Sequence, residues 1–260
     1  MMKRLPLLLA LLPALLPLTA TAVAEQPAEC SVAQDQVERN FPLRHVVVAI
    51  AAKKLDILVI GAGSSVLPGS NGARAAYPAR LQKALSELLP GVDVKVTADV
   101  KSGRTAVEMV KSLAKPLADA KPALMIWQTG TVDAMQAVDA DQFSQALDQG
   151  INIARSAGAD VILVNSQYSP RTESMIALTT YADNMRWVAL QHEVPLFNRF
   201  EIMKLWADLG TFDLTGAANK LDIAARVHNC VGWLLADLIN ETAKQPDGPP
   251  TEAVKSGAGN

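Results

Sequence analysis

Between Leu55 and Gly69 the chain reads LDILVIGAGSSVLPG, an apolar β-branched run that stops at Gly61 and opens into a Gly/Ser turn. Such a run reads as a parallel strand buried on both faces, and in open α/β sheets the chemistry sits just past the strand's carboxyl end. Four further apolar runs follow: Val92–Val96, Ala123–Trp127, Val161–Val164 and the weaker Val194–Phe197. Segments with helical spacing separate them, near Ala75–Leu89, Thr105–Leu113, Gln142–Ser156, Ser174–Gln191 and Phe200–Leu209, and a long last helix runs from about Ala217 to Thr242. The run His45–Ala52 reads as a helix leading into the first strand. Strands alternating with helices predict a three-layer α/β/α protein whose parallel five-stranded sheet is ordered 2-1-3-4-5.

The 260 residues are half apolar, enough for one sizeable core, and 24 basic against 26 acidic residues give no charge asymmetry of the kind that nucleic acid selects. Residues 1–24 carry Lys3 and Arg4, an apolar stretch and Ala22-Val23-Ala24, the pattern of an export signal cleaved before Glu25. Leu5 to Leu18 is too short for a bilayer and is broken by Pro6, Pro13 and Pro17, so no membrane span is expected after cleavage. A periplasmic or secreted protein is expected, with an N-terminal arm over 25–54, one domain over 55–243 and a disordered, polar tail over 244–260. In an oxidising compartment the two cysteines, Cys30 and Cys230, suggest a disulfide, with two buried free thiols as the alternative. His45, His192 and His228 are too scattered to complete a metal site with them.

In a parallel sheet the loops after the strands gather on one edge. Ser64 and Ser65 follow the first strand, Ser102-Gly103-Arg104 the second, Gln128 to Asp133 the third, Gln167 to Arg171 the fourth and Asn198-Arg199 the fifth; Asp213 precedes the last helix. Ser102, Arg104 and Arg199 are candidates for holding an anion. Arg171 and Glu173 either grip a substrate or charge a helix start, and Trp127 either stacks on a sugar or fills the core. No cofactor is expected: Val66 replaces the third glycine of G-x-G-x-x-G, no G-K-[ST] exists, and the elbow G-x-S-x-G is absent.

From Leu55 to Ile239 these loops, in this order, resemble the SGNH/GDSL hydrolase family of esterases, lipases and carbohydrate deacetylases, which have a flavodoxin-like sheet. Its Gly-Asp-Ser block corresponds to Gly61-Ala62-Gly63-Ser64-Ser65, its oxyanion glycine to Gly103, its Gly-x-Asn-Asp block to Gly130-Thr131-Val132-Asp133, and its Asp-x-x-His block to Asp213-Leu214-Thr215-Gly216. The resemblance implies a serine nucleophile at Ser64 or Ser65, N–H donors near Gly103 and Gly130, and an ester of a small molecule or glycan as substrate; their place on the loop edge makes Arg104, Gln128, Tyr168 and Arg171 binding candidates. Three positions depart from it. Val132 stands where the family has its oxyanion Asn, Gly216 stands where it has its base, and Ser64 reaches the nucleophile position only by a one-residue slip. A serine hydroxyl is a weak nucleophile without an oriented base. His228 is the best substitute, although it lies about 12 residues further on, near 18 Å along a helix. Two readings follow: an ester hydrolase with weak or atypical catalysis, or a relative that binds a glycan or protein partner without chemistry.

Overall fold

A computed structural model describes residues 26–32, 37, 41–216 and 220–244. The export signal expected over 1–24 and, Lys244 apart, the tail expected over 244–260 lie outside the described residues. Among the latter, β1 (Lys54–Gly61), β2 (Asp93–Val100), β3 (Leu124–Gln128), β4 (Asp160–Val164) and β5 (Leu196–Phe197) form one parallel sheet ordered β2-β1-β3-β4-β5, as predicted.

The continuous apolar runs divide by alternation. Leu55, Ile57, Val59, Leu124, Ile126, Ile162 and Val164 face one core, while Leu58, Ile60, Met125, Trp127, Val161 and Leu163 face the other. The connecting helices are α1 (Arg44–Ala51), α2 (Gly72–Ala75), α3 (Tyr77–Leu88), α4 (Ala106–Ser112), α5 (Ala114–Ala120), α6 (Thr131–Met135), α7 (Ala140–Ser156), α8 (Pro170–Met175), α9 (Leu178–Gln191), α10 (Arg199–Asp208) and α11 (Lys220–Ala243). Side chains of α1, α3, α10 and α11 fill the first core, and those of α4, α5, α7 and α9 the second. Trp127 belongs to the second core, its Nε1–H donating to Met109 Sδ at 3.1 Å, so it is not a sugar platform.

Helix starts follow their caps. Thr105 and Glu108 form a reciprocal capping box on α4, Asp139 caps α7, and Ser169 caps α8 just ahead of Pro170. The segment expected to be one helix over Ser174–Gln191 is instead α8 and α9, because Ile176 is extended (φ −138°, ψ 136°). β2 runs four residues beyond the expected Val96, a stretch hidden in sequence because this edge strand is mostly exposed and polar.

The N-terminal arm is fastened to the domain. Cys30 and Cys230, 200 residues apart, form a disulfide, the Trp206 Nε1–H donates to the Ser31 carbonyl, and Val37 makes an antiparallel bridge to Phe197 on the outer strand. Cys230 lies in α11, which packs so tightly on α3 that a Cβ at Gly232 would fall 2.6 Å from Arg80 Cβ. His45 pairs with Asp160 at the amino end of β4, far from the loop edge, and His192 pairs with Asp148 at the end of α9. No helix among the described residues is long and apolar enough to cross a membrane.

Candidate active-site pocket

β1 ends at Gly61, and Gly63–Ser65 makes a single 3₁₀ turn that sends two adjacent serines in different directions. Ser65 folds back beneath the strand end, where it is fully buried; a Cβ at Gly61 would lie 2.1 Å from its Oγ, so the strand can end this way only with glycine at that position. Ser64 is left lining a cavity of about 360 Å³, together with Arg199, Met203, Asp213, Lys220 and His228.

Gln128, the last residue of β3, joins the two serines. Ser65 Oγ–H donates to Gln128 Oε1 at 2.9 Å, and Arg199 Nη1 donates to the same oxygen at 3.1 Å. Because a guanidinium only donates, the amide orientation is fixed, and Gln128 Nε2–H donates to Ser64 Oγ through a short contact. Ser64 Oγ is therefore an acceptor in this network. No imidazole or carboxylate among the described residues takes its own proton.

Arg199 begins α10 and is 1% exposed. Besides Gln128, it donates to the Ser64 carbonyl at 3.0 Å, and it lies 5.9 Å from the Tyr77 ring centroid. Burial pulls it down to about 10, which leaves it cationic at neutral pH. Burial pushes the Tyr77 phenol up to about 12, opposed by Ser65 and by the Arg199 charge.

His228, on α11, accepts the backbone N–H of Tyr77 on Nδ1 at 3.0 Å. Burial, assisted by the Arg199 charge, pushes the imidazole down to about 3, so it is neutral at physiological pH. A neutral ring that accepts on Nδ1 carries its proton on Nε2, which makes His228 a donor. The third expected member, Asp213, is exposed and accepts from the Thr215 N–H at 3.0 Å and from its hydroxyl, bonds that hold its carboxyl below the usual range.

Ser64, Asp213 and His228 thus share one pocket, with Ser65 and Gln128 beneath it. The remaining candidates lie elsewhere. The Gly130 N–H donates to Asp133 Oδ2 at 3.1 Å, and the same buried carboxylate takes the Ala106 N–H and the Thr129 hydroxyl, so this loop's donors are turned inward. Val132 packs on the second core. Gly103 sits in an exposed turn, with Ser102 beside Gly63. Arg104 donates to the Asp99 carboxylate at 3.1 Å and to the carbonyls of Asp99 and Gly61, joining the ends of β1 and β2. Tyr168 is buried edge-on against Phe200 and lines a neighbouring cleft with Asp213, and Arg171 is exposed on α8. What sequence reasoning missed is the part played by Arg199 as the hub of the serine network; its only signal was an arginine placed just after the fifth strand.

The sequence profile of the non-GDSL lipase-like family matches residues 29–245. Esterase TesA of Pseudomonas aeruginosa is 30% identical over 125 residues, a segment that spans 48% of this chain and 61% of that relative. A crystal structure of TesA superposes with a TM-score of 0.55 and 25% identity, over 70% of this chain and 99% of that one. The acetylxylan esterase Axe2 of Geobacillus stearothermophilus superposes at 0.56 with 16% identity, over 74% and 95%, a likeness of fold.

Proposed function

The chain belongs to the non-GDSL lipase-like family, and on that footing we propose that it is an exported carboxylic-ester hydrolase with slow, atypical catalysis. Ser64 is the nucleophile, and the substrate is a small acyl ester or an acetyl group on an envelope glycan. The observation that carries this reading is the Ser64 hydroxyl held in the pocket by Gln128 Nε2–H, its own proton free.

In the first step Ser64 Oγ bonds to the ester carbonyl carbon and gives its proton to solvent, and the alcohol leaves after taking a proton from water. Water then cleaves the acyl-serine, releases the acid and restores the hydroxyl. Without an imidazole to move the proton, the first step is slow. The absence of a donor at Val132 raises the barrier further; loss of one oxyanion donor costs about 2.7–4 kcal/mol. His228 Nε2–H is a fixed donor on the pocket wall. Export is supported by the sequence of residues 1–24 and by the disulfide.

The second reading, a glycan- or protein-binding relative without chemistry, is favoured by the engagement of His228 Nδ1 with Tyr77 and of Asp213 with Thr215. Labelling of the mature protein with a fluorophosphonate, followed by peptide mapping, separates the two. Slow modification at Ser64 that is lost in Ser64→Ala supports the hydrolase, and no modification above that variant's background supports the binder.

A further inference from the structure

We infer that the floor of the Ser64 pocket is a carboxylate subsite organised by Arg199, so that the molecule taken there carries a negative charge. This rests on the reading above only in placing the ligand in this pocket.

A buried cation is costly unless an anion and hydrogen bonds compensate it. Arg104, also at this sheet edge, obeys that rule through Asp99 at 3.1 Å. Arg199 is more deeply buried, yet its partners among the described residues are all neutral: the Ser64 carbonyl, the Gln128 amide and the face of Tyr77. Its Nε is buried without an acceptor among the described residues, as is that of Arg104, so what sets Arg199 apart is the missing carboxylate. The rest of the wall points the same way. Lys220 adds a second cation, His228 presents Nε2–H, and the one carboxylate of the lining, Asp213, is turned to Thr215. Among apolar neighbours such as Met203, Ile223 and Val227, these cations and this donor are complementary to an anion that also carries an apolar part. Nη1 is engaged by Ser64 and Gln128 and Nε is buried, which leaves Nη2 as the guanidinium nitrogen that can donate to a carboxylate oxygen in a charge-assisted bond. A cavity of about 360 Å³ accommodates a small organic acid.

The test is thermal unfolding of the mature protein at constant ionic strength, titrated with acetate and D-glucuronate, with acetamide and D-glucose as neutral counterparts. The carboxylates should raise the melting temperature saturably, and the neutral molecules should not. Arg199→Lys should weaken the effect by about tenfold. Should that variant fail to fold, Ala224→Phe, which fills the pocket from α11 and leaves Arg199 intact, should abolish the shift. An equal shift from the neutral molecules or from inorganic phosphate, or a shift that survives Ala224→Phe, would overturn the subsite. Fluorophosphonate labelling of the same preparation keeps the two proposals apart: labelling at Ser64 without carboxylate binding overturns the subsite alone, and binding without labelling overturns the hydrolase alone.

Discussion

The Nδ1 of His228 accepts the backbone N–H of Tyr77 at 3.0 Å, an imidazole on α11 capping the first residue of α3. That N–H is one of the orphan donors of a helix start, and the contact is buried, so leaving it unmade would cost about 1–3 kcal/mol. In a neutral ring an accepting Nδ1 leaves the proton on Nε2, and a protonated Nε2 cannot accept another from a serine while this bond lasts.

Acid should therefore destabilise the protein through His228. Its folded value is about 3, against an ordinary 6.5. Between these values the unfolded chain binds the extra proton, so stability falls as pH falls from about 6.5 towards 3, by at most ~1.4 kcal/mol per pH unit from this group. His228→Asn keeps an acceptor for the Tyr77 N–H and removes the titration. Urea unfolding between pH 4 and 7 should show a flatter slope for the variant; parallel slopes would refute the assignment.

The disulfide makes a second prediction. Closing a loop of 200 residues restricts the unfolded chain, by about 5 kcal/mol in the entropy model. Intact mass should rise by two hydrogen atoms on reduction of the disulfide, and Cys30→Ser and Cys230→Ser should each lower the melting temperature. The double variant should be no less stable than the worse single one, since both remove the same bond. Additive losses would mean that the cysteines act separately.

Gly61→Ala should disturb the site without touching the pocket. The new methyl meets Ser65 Oγ at 2.1 Å and Ser65 Cβ at 2.9 Å, so the turn that carries both serines must shift and draw Ser64 away from Gln128, which Arg199 still holds. Overpacking of this kind costs about 1–3 kcal/mol. Fluorophosphonate labelling at Ser64 should drop along with stability, whereas Ser65→Ala, which removes one buried bond of about 1 kcal/mol, should keep the labelling.

The sheet was legible because β1, β3 and β4 are dominated by apolar runs, and right-handed crossovers leave little freedom in the strand order. β2 was legible only in part, since an edge strand with exposed Lys95, Thr97 and Ala98 carries little hydrophobic signal. Within the site, the turn after β1 marked Ser64 and Ser65 but did not tell them apart. That distinction depends on Ser65 tucking beneath Gly61, a packing detail. Arg199 was visible as an anion candidate but not as the hub between Ser64 and Gln128, which are 135 and 71 residues away from it. The loss of Gly130 as a donor depends in the same way on where Asp133 turns its carboxylate.

Hydrolysis of p-nitrophenyl acetate gives the sharpest prediction, because it reports the proton's route. With His228 neutral down to about pH 3 and its proton on Nε2, the imidazole on this pocket wall does not titrate between pH 5 and 8. The rate should be slow and should climb with hydroxide across that range without an inflection. Ser64→Ala should abolish it, Ser65→Ala should lower it only a few-fold, and His228→Asn should leave the shape of the profile unchanged. A plateau with an inflection near pH 6–7 that disappears in His228→Asn would show the imidazole acting as a base after leaving Tyr77. Brisk hydrolysis that survives Ser64→Ala would show that the nucleophile lies elsewhere.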